Sequence, residues 1–367
     1  ELESQLGPQA EGLLIEPPAN PLDRRNFLER TGTPPFSCDR RQLAARICLD
    51  QSRPIPEDGL AWPLTWRPQR TASQARLSYA ELVAWLVNPQ GAWLQQLGLH
   101  PSESVEPVHD LESLQLNALE RHLLLSADLE NDLIEPEAPV WKDRLAGQGL
   151  LPSGAGAFIE DDDLRERWLG LHREVTAFGQ FRRSNVTLAD QTHTLLFSGE
   201  TQLVVQPGQL NHRGVLRAWL LHLLLSTTSD SSCEGTAVIA RSSRGAGAQC
   251  HLHWRRLDAD VAHQQLDDLQ RLAASGLKQC WPVPPRSGWQ LVWQETRKPG
   301  SGDAAFRSSW EAEQQQPALQ LCFGTGRHPA ALLENAKFME ACEALYSPLL
   351  SASTITVKSL VGSERNG

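Results

Sequence analysis

Lysine is scarce in this sequence, and its scarcity excludes one large class of enzymes. Only five lysines stand among 34 basic residues, whereas a P-loop requires a lysine directly after a glycine to hold nucleotide phosphates. The residues that precede the lysines are Trp141, Leu277, Arg297, Ala336 and Val357. The sequence therefore excludes a P-loop ATPase. The motifs G-x-S-x-G and H-E-x-x-H are absent as well, which excludes the hydrolases and zinc proteases that carry them.

Long apolar runs and paired cysteines are also missing. The longest apolar run, Val215–Leu225, has 11 residues and contains Arg217 and His222, so it is too short and too charged to span a bilayer. The seven cysteines include no C-x-x-C pair, which favours a reduced protein of the cytoplasm over a disulfide framework. The first residue is Glu1 and the only methionine is Met339, so we expect a piece of a longer protein.

Acidic residues outnumber basic ones, 44 to 34, and the formal net charge is −10. The surface as a whole is therefore not expected to attract nucleic acid, and a DNA contact requires a local basic patch. The candidates for such a patch are two pairs of arginines, Arg182 with Arg183 and Arg255 with Arg256. Each pair is also typical of ordinary solvated surface, so the pairs matter only if the fold gathers them.

Twelve tryptophans make base stacking a hypothesis. Trp85, Trp168 and Trp219 lie in apolar helical patterns, which favours packing in the core. Six others lie near proline, arginine or glutamine and are candidates for exposure: Trp62, Trp66, Trp281, Trp289, Trp293 and Trp310. For these too, burial in the core or at an interface is favoured over base stacking.

Two clusters contain residue types that bind metals. Cys250, His251 and His253 lie together, and on a strand the two histidines would share one face, but no second cluster supplies further zinc ligands. The acidic run Glu160–Asp163 could bind Mg²⁺, yet its position before an apolar helical pattern favours a helix N-terminus. We therefore expect no metal and no cofactor.

The chain divides by composition into an arm and a globular part. Ten prolines within residues 1–70 predict an irregular arm with one short helix at Arg40–Leu49. Residues 71–180 have mainly helical patterns, beginning with a capping box formed by Ser78 and Glu81. Residues 181–350 interleave strands with helices, which predicts a mixed α/β domain.

Individual elements can also be predicted from the periodicity. The predicted strands are Val186–Leu188, Leu195–Phe197, Gln202–Val205, Thr236–Ala240, Gln249–Trp254, Gln290–Trp293 and Leu319–Phe323. The predicted helices after residue 200 are Val215–Leu225, Val261–Leu272, which Gly276 would close, and Ala331–Leu345.

Seven short segments keep a characteristic order along the chain. They are Asn20–Phe27 (NPLDRRNF), Leu77–Pro89 (LSYAELVAWLVNP), Glu106–Glu112 (EPVHDLE), Leu151–Phe158 (LPSGAGAF), Leu195–Glu200 (LLFSGE), Leu216–Leu223 (LRAWLLHL) and Leu345–Leu350 (LYSPLL). In this order the segments resemble the C-terminal part of the RecC family, the gamma chains of exodeoxyribonuclease V (RecBCD). The chain departs from the family pattern at Asp23–Arg25 and at Val108–His109.

The resemblance implies an α/β fold of the restriction-endonuclease-like, PD-(D/E)xK type, without catalytic residues. The arm at 1–70 would link to helicase-like domains that this chain lacks. Residues 71–367 would form the inactive nuclease-like domain, with a helical part at about 71–180 and an α/β part at about 181–350.

An active nuclease of this type needs acidic Mg²⁺ ligands on its central hairpin and a lysine in a [DE]-x-K motif. The residues two positions before the lysines are Val140, Gly276, Thr296, Asn335 and Thr356. None is acidic, and no aspartate or glutamate occurs from Thr201 to Ser229. The nuclease site is therefore absent by this test.

The leading functional hypothesis is a non-catalytic domain that scaffolds its partner subunits and guides or splits duplex DNA. The resemblance implies RecB-type and RecD-type partner subunits, double-stranded DNA ends and single strands as ligands, and a location in the bacterial cytoplasm, with no membrane contact. One alternative is an active metal-dependent nuclease whose ligands are Asp190, Glu200 and Asp230. Another is a protein–protein adaptor without DNA contact.

A strand-separating pin is expected in the family after the second helical segment, which here is Leu99–Val108. Its candidate DNA-contacting residues are Leu99, His100, Pro101, Val105 and Pro107. The prolines would stiffen the segment, and the histidine and valine could lean on a base pair. Glu103 and Glu106 would repel phosphates, which favours an ordinary acidic connector between helices over the pin.

Overall fold

The chain forms two compact units, Glu1–Glu57 and Asp58–Gly367. The structure is a computed structural model that describes residues 17–28, 35–37, 39–50, 58–62, 64, 66, 67, 76–101, 115–127, 129–135, 137–189, 191–228, 233–241 and 247–355. In the first unit, a 3₁₀ turn spans Arg24–Asn26 and helix α1 spans Arg40–Asp50, where the sequence predicts a helix. The boundary of the arm at residue 70 stays a prediction.

The second unit combines helices with one mixed sheet. Its helices are α2 (Tyr79–Val87), α3 (Pro89–Gln96), α4 (Ala118–Ser126), α5 (Leu129–Asp132), α6 (Trp141–Arg144), α7 (Ala155–Thr176), α8 (His212–Thr227), α9 (Ala259–Lys278), α10 (Pro285–Arg297), α11 (Gly302–Glu313), α12 (Pro317–Phe323), α13 (Pro329–Leu333) and α14 (Ala336–Ser351). Its strands are β1 (Phe181–Leu188), β2 (Gln191–Ser198), β3 (Thr201–Gln209), β4 (Gly235–Arg241), β5 (Ala248–Arg255) and β6 (Ser353–Ile355). No helix in these described ranges combines the length and the apolar character that a membrane crossing needs.

The six strands lie side by side in chain order. Strands β1, β2 and β3 form an antiparallel meander, and β4 runs parallel to β3 after the α8 crossover. Strands β5 and β6 continue the sheet in antiparallel pairing. The mixed α/β architecture is confirmed, and each of the five strands predicted between residues 186 and 254 lies within an observed strand.

Helices cover both faces of the sheet. Leu196 and Leu203 project to one face, where they pack in the same cluster as Trp168 of α7. Val238 projects to the other face, in the cluster that contains Trp219 of α8. We call these the α7 face and the α8 face. Because successive strand residues alternate between the faces, each strand contributes apolar side chains to two layers of core.

The helices begin where local signals place them. Ser78 Oγ accepts a hydrogen bond from Glu81 N, and the Glu81 carboxylate accepts one from Ser78 N over 2.8 Å, which confirms the predicted capping box of α2. Asn88 then caps α3, whose first residue is Pro89.

Two predicted strands are wrong. Gln290–Trp293 lies inside α10 and Leu319–Phe323 lies inside α12. Both helices begin at a proline, which fits the first helical position because its missing N–H is not needed there. Trp289 and Trp293, one turn apart on α10, stack with ring centres 5.3 Å apart.

Two helix ends also differ from prediction. Gly276 does not close α9, which continues to Lys278. A Cβ atom on Gly276 would lie 2.4 Å from Trp85 Nε1, so this glycine allows α9 to approach α2 closely. The final predicted helix is divided between α13 and α14.

The tryptophans pack mainly in the core. Trp85, Trp168 and Trp219 are buried, as the sequence predicts. Five of the six candidates for exposure are buried as well: Trp66, Trp281, Trp289, Trp293 and Trp310. Trp62 is half-buried, and the Arg327 guanidinium lies over its ring, with Cζ 4.1 Å from the ring centre. The buried rings are therefore not available to stack on bases.

Candidate nucleic-acid interface

The chain turns sharply where α3 ends and the predicted pin segment begins. Gly98 has a φ of 74°, a conformation that favours glycine. Leu99 N donates a hydrogen bond to Leu94 O over 2.9 Å, the long-range bond of a Schellman cap. The cap directs the following residues away from the helix axis.

Apolar and imidazole groups lie exposed at this turn. Leu97 is 54% exposed and Leu99 is 38% exposed. His100 is exposed and Pro101 is half-buried. The other two predicted residues, Val105 and Pro107, lie outside the described residues. The described end of the segment thus presents the surfaces that a wedge needs, and its role stays a prediction.

The first arginine pair lies on the edge strand β1, with its side chains on opposite faces of the sheet. Arg182 is paired with Phe197 of β2, and its guanidinium lies 5.9 Å from the centre of that ring on the α8 face. Arg183 projects to the α7 face and contacts the Asn131 side chain of α5. Both arginines are exposed, but their side chains lie on opposite faces of the sheet.

The second pair lies at the end of β5. Arg255 is the last residue of the strand and is exposed. Arg256 is half-buried, and its guanidinium donates a hydrogen bond to Thr228 O over 2.7 Å. Arg256 therefore ties the C-terminal end of α8 to the sheet, whereas Arg255 points to solvent.

The two pairs lie at the same end of the sheet but far apart. Phe181 and Arg255 occupy one row across five strands, through Ser198, Thr201 and Gly235. Four strand spacings separate them, about 19 Å in all. The fold therefore does not gather the four arginines into one patch. Their contact with DNA stays a prediction.

A third group of arginines, which the sequence analysis did not single out, lies at the N-terminal end of α8. Arg213 and Arg217 are exposed and one turn apart. Asn211 caps the helix by accepting a hydrogen bond from Gly214 N over 3.0 Å, and the helix dipole adds positive potential there. Burial, together with the nearby Arg213 charge, lowers the pKa of His212 to about 3, so this ring is neutral. The i, i+4 spacing of the arginines was the available signal.

The interpretation of Glu160–Asp163 as a helix cap is wrong. Helix α7 begins at Ala155, so the acidic run lies in its second and third turns. Glu160 accepts hydrogen bonds from Arg121 of α4 over 2.7 and 2.8 Å. Asp161 accepts one from Lys142 N over 2.9 Å. Tertiary contacts, and not the helix terminus, explain why these acids are there.

Glu160 is a buried carboxylate that remains ionised. Burial alone would raise its pKa, but hydrogen bonds from Arg121 and Leu116 N, with the charges of Arg121 and Arg167, outweigh burial. Its pKa therefore lies below the usual range. Because these donors occupy both carboxylate oxygens, Glu160 has a structural role as the ion-pair partner of Arg121.

The cysteine–histidine cluster does not have the geometry predicted for it. Val238 is opposite Leu252 and Ile239 is opposite Cys250, so His251 is the extra residue of a β-bulge. The bulge breaks the alternation, and Cys250 now lies on the same face as His253, the α7 face. Among the described residues, no group of three or more histidine, cysteine or acidic side chains is placed to hold a metal.

The β2–β3 hairpin has an apolar surface on its α7 face. Leu196, Leu203 and Val205 pack in the same cluster as Trp168. Of the ligands in the alternative nuclease hypothesis, Glu200 is exposed in the turn between β2 and β3. The other two, Asp190 and Asp230, lie outside the described residues.

A family model described as the RecC C-terminal domain matches residues 74–296. This range is more than half of the chain and includes α2 to α9 and β1 to β5. The chain belongs to the RecC C-terminal domain family. No curated protein matches the chain.

The RecC C-terminal domain makes this chain part of a RecC-type subunit of RecBCD, the exodeoxyribonuclease V complex, which acts in DNA repair and recombination. The matched range contains the described pin residues, both arginine pairs and the β2–β3 hairpin. Two of the seven family-like segments, Asn20–Phe27 and Leu345–Leu350, lie outside it.

Proposed function

We propose that this RecC C-terminal domain is non-catalytic, scaffolds its partner subunits, and guides or splits duplex DNA during double-strand-break repair. One observation carries the proposal. The hairpin that would hold Mg²⁺ in an active nuclease has an α7 face filled by Leu196, Leu203 and Val205, packed with Trp168.

The order of the elements supports a restriction-endonuclease-like fold. Helix α7 precedes the meander β1–β2–β3, and α8 then leads to β4, which is parallel to β3. This helix, meander, helix and strand order is compatible with the nuclease-like fold that the family resemblance implies.

The positions of the lysines support an inactive site. Water activation by Mg²⁺ requires several carboxylates on adjacent strands, with a cation nearby to stabilise the developing charge. None of the four lysines in the described residues lies on a strand. Apolar side chains on the hairpin would also exclude the water that hydrolysis needs.

The purified chain is expected to leave linear duplex DNA intact in Mg²⁺ or Mn²⁺, as judged by gel electrophoresis. Cleavage that EDTA stops and that Glu200→Gln abolishes would establish the active-nuclease alternative. Glu166→Gln, which alters an exposed acid of α7, is the matched control for removing one charge.

A protein–protein adaptor is the second candidate function, and exposed apolar side chains favour it. Leu119 and Leu123 of α4 are 65% and 57% exposed, and Phe158 and Ile159 of α7 are 59% and 66% exposed. The two helices pack together, and exposed apolar patches are typical of docking surfaces. Crosslinking to a forked duplex in the assembled complex separates the two functions, because an adaptor without DNA contact gives no crosslink.

The proposed ligands and surroundings follow from the family. The domain would bind RecB-type and RecD-type subunits, double-stranded DNA ends and single strands, in the bacterial cytoplasm. Residues 1–70 would form the arm that leads to helicase-like domains. Arg182, Arg183, Arg255 and Arg256 would contact phosphates at separate places, since the fold keeps the two pairs apart.

Leu99→Ala combined with His100→Ala is expected to slow unwinding by the reassembled complex while binding to duplex ends persists. A wedge replaces base stacking worth about 1–3 kcal/mol, so the rate should fall roughly fivefold or more. Stopped-flow unwinding of a fluorescent duplex measures it. Leu97→Ala is the matched control, because Leu97 is exposed two residues before Leu99 and lies outside the candidate pin. Unchanged unwinding, also after deletion of residues 102–106, would identify the segment as a connector.

A further inference from the structure

Strand β1 forms one edge of the sheet over its full length. All eight residues from Phe181 to Leu188 pair with β2 in one continuous register. The opposite edge strand, β6, spans only Ser353–Ile355. The β1 edge is therefore the long edge among the described residues.

The register indicates which backbone groups face away from β2. Leu188 and Gln191 flank a two-residue connection, and such a pair is hydrogen-bonded in a hairpin. Hydrogen-bonded and non-hydrogen-bonded pairs alternate from there. The residues whose N–H and C=O groups point outward are Phe181, Arg183, Asn185 and Thr187.

Side-chain contacts agree with this assignment. Thr194 Oγ1 donates a hydrogen bond to Asn185 Oδ1 over 2.9 Å, and the hydroxyls of Thr187 and Thr192 lie 3.5 Å apart. Side chains approach each other more closely in non-hydrogen-bonded pairs, which is where both contacts occur.

The outward-facing groups have no partner within the described part of the chain. No hydrogen bond there joins the backbone N–H or C=O of Phe181, Arg183, Asn185 or Thr187 to a group outside β2. The side chains of Arg182, Arg183, Asn185 and Thr187 are exposed. Against the described residues, a row of unpaired peptide groups is thus accessible along β1.

The usual protection of an edge strand is largely missing from β1. Natural edges are guarded by prolines, bulges, short length or several charges. Strand β1 contains no proline and no bulge, and its only charged residues are Arg182 and Arg183. From Ser184 to Leu188 the edge is uncharged.

We propose that the β1 edge binds an extended acidic segment of a partner protein as an additional antiparallel strand. The backbone groups would supply affinity, as in other complexes formed by strand addition. Arg182 on the α8 face and Arg183 on the α7 face select acidic side chains at adjacent positions of the added strand. This interaction goes beyond the proposed function and does not depend on DNA contact.

A second copy of this chain is a poorer occupant of the edge. Its own β1 strand offers arginines but no acidic residue to pair with Arg182 and Arg183. Charge complementarity therefore favours an acidic segment of another protein.

Hydrogen exchange of the 367-residue chain tests the proposal with a defined probe. The probe is the peptide TVTVTEET, whose two glutamates would lie opposite Arg183 and Arg182 in an antiparallel pairing. We expect at least tenfold slower exchange of the outward amides of Arg183, Asn185 and Thr187 at saturating peptide. Fluorescence anisotropy should show at least tenfold weaker binding of TVTVTKKT.

Two variants link binding to the edge. Asn185→Pro removes an outward N–H and no hydrogen bond to β2, so we expect it to weaken peptide binding at least tenfold. Thr194→Ala is its matched control, because it loses the same side-chain hydrogen bond and keeps the N–H. Should Asn185→Pro fail to fold, Arg182→Glu provides the second variant and is expected to abolish the preference between the two peptides, because the new carboxylate would repel one acidic side chain while Arg183 still attracts the other.

Three results would overturn the proposal. One is unchanged exchange of the outward amides at saturating acidic peptide. Another is equal binding of the acidic and basic peptides, because selection by Arg182 and Arg183 would then be absent. The third is protection of the same amides by concentration-dependent self-association, since the occupant would then be a second copy.

Discussion

Glu160→Gln is expected to lower the free energy of unfolding by about 3 kcal/mol, because it breaks a buried ion pair. Glu160 is 2% exposed and receives hydrogen bonds from Arg121 at 2.7 and 2.8 Å. In the variant, an amide nitrogen would face the donors of the Arg121 guanidinium. The largely buried arginine would lose its closest carboxylate partner and keep the weaker ion pair with Asp163, whose Oδ2 lies 3.1 Å from its Nε.

Urea denaturation followed by tryptophan fluorescence measures this loss. Asp162→Asn is the matched control, since Asp162 belongs to the same acidic run and is exposed. Its expected change is within about 0.5 kcal/mol. Equal losses at the two positions would contradict the ion-pair explanation. A stabilisation by Mg²⁺ that Glu160→Gln removes would support the metal interpretation instead.

The acidic run shows how a tertiary contact can produce a misleading local pattern. Four acids before an apolar stripe are typical of a helix N-terminus, where they complement the helix dipole. The helix instead begins at Ala155, after Gly154 with its φ of 61°. The partner that requires Glu160 is Arg121, 39 residues earlier in the chain. No window of sequence around the run contains that information.

Short apolar windows produced the wrong strands for a related reason. Four or five residues cannot distinguish a strand from part of a buried helix. Gln290–Trp293 is part of a longer helix, which begins at Pro285 and in which Trp289 stacks on Trp293. A window of four residues does not show that helix. The capping box of Ser78 and Glu81 was predictable because all its atoms lie within four consecutive residues.

The same distinction applies to the candidate interface. The exposed turn at Leu99 and His100 follows from a glycine that ends a helix, which is a local signal. The grouping of arginines depends on strand order and register, which the sequence does not state. Arg182 and Arg183 are adjacent on β1, so their side chains project to opposite faces of the sheet. Four strand spacings separate β1 from Arg255.

A buried chain of hydrogen bonds on the α8 face makes the fold sensitive to acid. His222 Nδ1 lies 3.0 Å from Thr236 Oγ1, and the Thr236 hydroxyl donates to Gln202 Oε1 over 3.0 Å. Because that hydroxyl has one hydrogen, it accepts a hydrogen bond from His222, which therefore carries a proton on Nδ1. Burial lowers the pKa of His222 to about 4, with a smaller effect from nearby His253.

Lowering the pH from 8 to 5 is expected to remove about 4 kcal/mol of stability through His212 and His222 together. Burial lowers the pKa of His212 to about 3, with the charges of Arg213 and Arg286 acting in the same direction, and that of His222 to about 4. Below the ordinary value of 6.5, the unfolded chain binds protons that the folded chain does not. Stability therefore falls as the pH drops from 6.5 towards 4, by about 1.4 kcal/mol per pH unit for each histidine.

Urea denaturation at pH 8, 7, 6 and 5 measures the effect. His222→Gln should roughly halve the loss between pH 8 and pH 5, because its amide can still donate to Thr236 but does not titrate. His263→Gln, at an exposed position of α9, controls for the removal of a histidine. If His222→Gln keeps the full pH dependence of the unchanged chain, the acid sensitivity does not arise from this buried ring. The halving depends on His222 being buried as a neutral group, because only then does its protonation oppose folding.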